Sequence, residues 1–159
     1  MDLGLKDKVA IVGGGSKGLG KGVALSLARE GVHIALVAND DFSLAETAEE
    51  IKLETGVKVL QLNANLSEIS AIESKVINPV LERFSRIDIL FVNSGGPKPG
   101  SFLDLTSADW NNAYESVLYY VVELYHHVIP VMQKQGWGRI INSTSLTVKQ
   151  PGPGMILSN

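Results

Sequence analysis

The stretch Val9 to Gly20, VAIVGGGSKGLG, constrains this chain more than any other. A β-branched run ends in glycines, and the glycines open into an amphipathic segment, Leu19 to Glu30, that carries Val23, Leu25 and Leu27. Strand, tight turn and helix start in that order open a dinucleotide-binding βαβ unit. Gly14, Gly18 and Gly20 stand at the spacing G-x-x-x-G-x-G. Missing side chains let the backbone turn sharply and bring its N–H groups close to a pyrophosphate, and the helix N-terminus adds partial positive charge. A glycine loop alone also fits an ordinary helix start, so the reading depends on the rest of the chain.

Downstream, apolar runs alternate with helical patterns. Val32 to Ala38 is almost continuously apolar, which predicts a strand buried on both faces, with His33 in a structural role. Ser43-Leu-Ala-Glu46 reads as a capping box for a helix running to about Glu54, stopped by Gly56. Val57 to Leu62 is the third expected strand. Ser67 is expected to cap a helix through Phe84, with Pro79 as a kink. Ile87 to Val92 is the fourth strand, followed by the proline- and glycine-rich loop Gly95 to Gly100.

A long helix is predicted from Thr106 or Ser107 to Lys134, interrupted by Pro130, and Arg139 to Ser145 is the fifth strand. The run VLYYVVELY, 117 to 125, carries more apolar surface than one face needs, so burial is expected against the sheet and against a second subunit. His126 and His127 are adjacent, so their rings should diverge by about 100° and not share one site. The alternation argues an α/β fold, a Rossmann-type doubly wound parallel sheet with helices on both faces. With 159 residues, one domain is expected over 1–159.

Composition removes several function classes. A net charge of −3 without a Lys/Arg cluster gives no footprint for nucleic acid or an anionic membrane. The absence of cysteine excludes disulfides and thiolate metal sites, and no metal constellation of other residues is visible. No signal core or membrane-length apolar run is present, so the expectation is a soluble, cytoplasmic protein.

The chain resembles the short-chain dehydrogenase/reductase family, most closely its reductases of the 3-oxoacyl-carrier-protein type. Gly13 to Gly20 is similar to that family's TGxxxGxG loop, with Gly13 in place of threonine. Val92-Asn93-Ser94-Gly95 resembles its NNAG turn, Asn65-Leu66 stands where an Asp usually contacts adenine, and Arg139 to Ser145 resembles its catalytic-serine strand. The resemblance implies a dinucleotide held by Gly14, Ser16, Lys17, Gly18, Leu19, Gly20, Asn39, Asn65, Leu66, Asn93, Ser94 and Gly95. It also implies hydride exchange with a small carbonyl or alcohol substrate, and a homodimer or homotetramer built on the helix 107–134.

Charge argues the cofactor. Ala38 stands where a carboxylate would select NAD, and Lys17 is placed to meet the 2′-phosphate of NADP. Asn39, Asp40 and Asp41 argue the other way. NADP is therefore expected, with NAD as the alternative.

The catalytic set implied by the family departs from its pattern. Ser145 fits the serine, but the tyrosine position, thirteen residues on, is Ser158, and the relay asparagine position is Val117. The lysine would fall beyond Asn159, so the sequence is expected to lack the C-terminal part of its domain. An aliphatic hydroxyl is a poorer proton donor than a phenol of pKa about 10. Lys149 is a further candidate for the proton, and Asn111 and Asn112 read as surface residues of a first helical turn. The expected function is an atypical NAD(P)-dependent oxidoreductase. A dinucleotide-binding protein without catalysis, a redox sensor or dimer partner, is the alternative.

Overall fold

The computed structural model describes residues 2–93 and 95–158. Its core is a parallel sheet of five strands: β1 (Val9–Gly13), β2 (His33–Ala38), β3 (Val59–Asn63), β4 (Ile89–Val92) and β5 (Arg139–Asn142). Their spatial order is β3-β2-β1-β4-β5, all neighbours parallel. The chain winds outward from β1 to β3, returns, and winds the other way through β4. The reversal point lies between β1 and β4, where a crevice opens at the carboxyl ends of the strands.

Each face of the sheet has its own apolar layer. On one side, Ala10, Val12, Ile34 and Leu36 pack under α1 (Gly18–Arg29) and α2 (Asp41–Thr55), which contribute Ala24, Ala28, Leu44, Ala48 and Ile51. On the other, Ile11, Val37 and Leu90 meet Ile72, Val76 and Val80, together with Tyr120, Leu124, Val128 and Met132. Strands covered on both faces read as apolar runs for this reason.

Several expected boundaries move. α2 starts earlier than the Ser43 capping box, because Asp40 is the cap and accepts hydrogen bonds from the Ser43 N–H at 3.3 Å and hydroxyl at 2.7 Å. The expected helix from Ser67 to Phe84 is a 3₁₀ turn at Ile69–Ala71, a π turn at Glu73–Ile77 and α3 (Asn78–Phe84), and Ser67 caps none of them. Pro79 lies in the first turn of α3, where its missing N–H costs little, and the wider π turn precedes it.

The long helix is likewise divided into α4 (Ser107–Ala113), a π turn at Tyr114–Tyr119 and α5 (Tyr120–Gln135), and α5 runs through Pro130 without ending. A π turn adds a residue and re-aims the apolar face. Consequently Tyr120, Leu124, Val128 and Met132 face the core, while Trp110, Tyr114, Val117, Leu118 and Tyr119 remain exposed. β5 stops at Asn142 rather than Ser145, because the Ser145 hydroxyl turns back to cap a 3₁₀ turn at Leu146–Val148, accepting from the Thr147 N–H at 3.2 Å. Among the described residues, no helix is long and apolar enough to cross a membrane.

The opposite rim of the sheet is held by charge. Asp88, fully buried, accepts from the Val9 N–H at 2.9 Å and from both Nε and Nη2 of Arg86 at 2.6 and 2.7 Å. That pair raises the Arg86 pKa further above its ordinary value, the hydrogen bond to Asp88 being the main cause. Gln135 pairs both ends of its amide with the Ile87 backbone and so docks the end of α5 beside it.

Candidate functional site

Two cavities open at the carboxyl edge of the sheet and share Asn93, Gly95 and Gly96. The first, about 470 Å³, is lined from the β1 and β2 side by Gly14, Ser16, Lys17, Val37, Ala38 and Asn39, and from the β3 side by Ala64, Asn65, Leu66 and Ser67; Ser116 completes it. The second, about 390 Å³, reaches from Pro97 past Val117, Leu118, Tyr120 and Val121 to Asn142, Ser145, Val148 and Ser158. Their shared residues make one trench running across the reversal point.

The glycine loop is shaped by close approach as much as by turning. A Cβ on Gly20 would lie 2.1 Å from the Gly14 carbonyl oxygen, and one on Gly14 would lie 2.6 Å from the Asn93 amide nitrogen. Gly18 has φ +52°, in the left-handed region, with open space beside it. Gly18 and Gly20 therefore build the loop without lining the cavity. Leu19 points outward, 61% exposed, and its side chain is also absent from the lining. Asn93 bridges β4 to the loop, its amide 3.5 Å from the Gly13 carbonyl oxygen. Behind the loop, the buried Thr47 hydroxyl of α2 donates to the Ser16 carbonyl at 2.8 Å.

The cradle fits a pyrophosphate: a positive-φ Gly14 on the cavity wall, a loop too tightly folded for a side chain at Gly14 or Gly20, and a helix N-terminus directly after it. At the far end, Asn65 folds its side-chain oxygen onto the Ser67 N–H at 3.0 Å. Ser94 lies outside the described residues.

Lys17 lines the cavity, yet its ammonium is 2.6 Å from the Asp40 carboxylate. Asp40 is thereby held well below the usual carboxylate range, first by the Lys17 hydrogen bond and then by the Ser43 hydroxyl and N–H. The two acids after Asn39 were visible in the sequence as charges, and the folded chain makes one of them the partner of Lys17.

In the second cavity the structure brings Ser145, Ser158 and Val117 together. The Ser145 oxygen is 2.9 Å from the Thr147 hydroxyl, which is also 3.2 Å from the Ser158 carbonyl oxygen. Lys149 is exposed at the end of the 3₁₀ turn and lies outside the lining, whereas Tyr120 is the one phenol among the lining residues. Asn111 and Asn112 are exposed on α4, as the sequence implied. The wall from Gly95 to Gly100 is fixed by the chain's later part, since the Gly100 N–H donates to the Gly154 carbonyl at 2.7 Å. Outside the trench, His126 and His127 both approach Glu123, at 3.9 and 3.1 Å, so the divergent rings straddle one carboxylate. No group of three or more potential metal ligands occurs among the described residues.

Comparisons with known proteins agree with this geometry. The 3-oxoacyl-acyl-carrier-protein reductase of Staphylococcus epidermidis is 32% identical over 149 residues, covering 93% of this chain and 60% of that protein. The crystal structure of L-sorbose reductase from Gluconobacter frateurii complexed with NADPH and L-sorbose superposes with a TM-score of 0.95 at 30% identity, covering 99% of this chain and 60% of that one. An NAD+-bound xylitol dehydrogenase superposes with a TM-score of 0.89 at 26% identity, covering 97% and 59%. The chain thus spans about three fifths of the length of these relatives. Residues 8–157, which include the glycine loop, the β4 turn and the Ser145 segment, match the family model of the short chain dehydrogenases, and the chain belongs to that family.

Proposed function

We propose that this protein is an NADP-dependent oxidoreductase, with NAD as the alternative cofactor, acting on a small carbonyl or alcohol substrate. The observation that carries the reading is the continuous trench, in which the glycine cradle and Ser145 are joined through Asn93, Gly95 and Gly96. The nicotinamide, when bound, supplies hydride exchange with a substrate carbon. Gly14 and Ser16 would hold the pyrophosphate through backbone N–H groups, Lys17 the ribose phosphate, and Asn65 and Leu66 the adenine end, with Gly18 shaping the loop. Asn93 and Gly95 would flank the floor of the trench. The relatives support this assignment: the sorbose reductase is described with NADPH and the xylitol dehydrogenase with NAD+.

Ser145 would orient the substrate oxygen. The Ser145 hydroxyl can turn its proton toward a carbonyl oxygen in the cavity when the one Thr147 proton points to Ser145 rather than to the Ser158 carbonyl. Ser158 brings a second hydroxyl to the same cavity, and an aliphatic hydroxyl transfers protons less readily than a phenol. Loss of general acid catalysis lowers rate by about 10²–10⁴-fold. Slow turnover is expected accordingly. The exposed Trp110, Tyr114, Leu118 and Tyr119 support a homodimer or homotetramer built on the helix 107–134.

The presence of Val117 and Ser158 at the relay and phenol positions favours one second reading, a dinucleotide-binding protein without catalysis. NADPH binding followed by quenching of protein fluorescence, paired with turnover on a panel of ketones and alcohols, separates the two. Binding with turnover that Ser145→Ala lowers by about 10²-fold supports the enzyme. Binding without turnover selects the second reading, and no binding refutes both.

A further inference from the structure

The second cavity is walled by segments of opposite character, and neither brings a charge into it. From the helix side come Val117 and Leu118 of the π turn and Val121 of α5, with Pro97 from the loop after β4. From the end of β5 come Asn142, Ser143, Thr144 and Ser145. The charged side chains on these segments are engaged elsewhere or lie outside the lining. Lys98, next to Pro97, is 3.1 Å from both carboxylate oxygens of Asp109. Glu123 is approached by His126 and His127, and Glu115 and Lys149 are exposed and absent from the lining. The polar wall offers neutral groups only. Tyr125 donates to Asn142 Oδ1 at 2.7 Å, which leaves the Asn142 amide nitrogen, a donor, without a partner among the described residues. An anionic group moved into this space from water would lose hydration without meeting a counter-charge, at a cost far above that of a neutral oxygen. An apolar substituent gains by covering Val117, Leu118 and Val121.

We infer that the substrate class of this site is an uncharged ketone or secondary alcohol bearing an apolar substituent, whose oxygen meets the wall from Asn142 to Ser145 while the substituent lies along the π turn. For the reaction the inference rests on the oxidoreductase reading proposed above; for the character of the ligand it rests on the lining alone. Carbonyl compounds that carry a carboxylate or a phosphate are poor ligands, because nothing in the lining balances their charge. Polyhydroxylated ones are poor for a different reason, since they have no apolar part to set against the helix side.

The test compares 2-heptanone, 6-oxoheptanoate, the methyl ester of 6-oxoheptanoate, and fructose on the intact protein. The keto acid has the heptanone skeleton with a carboxylate in place of the terminal methyl, and the ester removes that charge again. Saturation-transfer NMR, with and without NADP+, reads binding, and NADPH oxidation reads turnover. The ketone and the ester are expected to bind and turn over comparably, with the keto acid lower by about 10²-fold in kcat/KM, the cost of a carboxylate left without a partner. Fructose is expected to fall below the ketone as well. Val148→Lys, at a lining position that is 60% exposed, should raise kcat/KM for the keto acid by about fivefold, the effect of one unit charge a few ångströms away in water. Equal binding and turnover of keto acid and ketone, or a preference for fructose, overturns the inference and leaves the oxidoreductase reading standing. Binding of none of the four probes also overturns it. Binding of ketone and ester in preference to the acid, without any turnover, upholds the inference for the pocket and defeats the oxidoreductase reading.

Discussion

The two ends of the trench are built by different means. At the dinucleotide end, all five residues of β1 are buried, the loop is closed by backbone-to-backbone approach, and Thr47 and Asn93 brace it from α2 and β4. At the Ser145 end, β5 is an edge of the described sheet with three of its four residues exposed, and the site is arranged by hydroxyls in an exposed 3₁₀ turn. One end has almost no room to change without breaking the fold, whereas the other can change side chains at little structural cost. Val117 and Ser158 both line the tolerant end.

Gly20→Val should break the rigid end most severely. Its Cβ would meet the Gly14 carbonyl at 2.1 Å, so a loss of about 3 kcal/mol in stability and loss of NADPH binding are expected, read by thermal melting and titration. Ser145→Ala should act in the opposite way. Its stability should stay within about 0.5 kcal/mol of the parent because the residue is exposed, while turnover falls by about 10²-fold, as when one oxyanion donor is removed. A large drop in melting temperature for Ser145→Ala would erase the distinction between the two ends.

Thr47→Val sharpens the comparison at smaller scale. It strands the Ser16 carbonyl beneath the loop, so about 1–2 kcal/mol of stability should go, with weaker dinucleotide binding and no need for a residue in the cavity to change. The smallest effect belongs to the lower rim. The His33 ring stacks on Phe84 at 5.9 Å and its Nδ1 accepts from the Lys58 N–H at 3.3 Å, which requires the neutral ring. Desolvation, then the Lys58 charge, lowers its pKa below the ordinary value of 6.5. The unfolded chain therefore takes up that proton first as pH falls, so this contribution is present above the ordinary histidine range and declines below it. Melting between pH 7 and 5 should show a slope that His33→Gln flattens.

Much of the dinucleotide end was legible in the residues. The glycine spacing, the β-branched run before it and the apolar strands are local patterns, each set by what neighbouring residues can do on a strand or a helix. The Ser145 end was legible only as a motif. Whether Ser145, Ser158 and Val117 meet depends on chain segments that are far apart in sequence. The division of the long helix also escaped the pattern, because a π turn at Tyr114–Tyr119 changes the phase of a face without changing its composition. That one turn moved the core seam onto Tyr120 and Leu124 and left Leu118 and Tyr119 outside.

The sequence by itself determined a doubly wound sheet with a glycine loop at its reversal point, since short-range sterics and apolar periodicity suffice for that. Only the tertiary structure decided that Asp40, rather than Ser43, starts α2 and takes Lys17 as its partner. It also decided that Thr47 supports the loop and that Lys149 stays out of the trench. Those outcomes are pairings between groups separated by many residues, and a side chain's partner is fixed only once the packed strands and helices bring the candidates within reach.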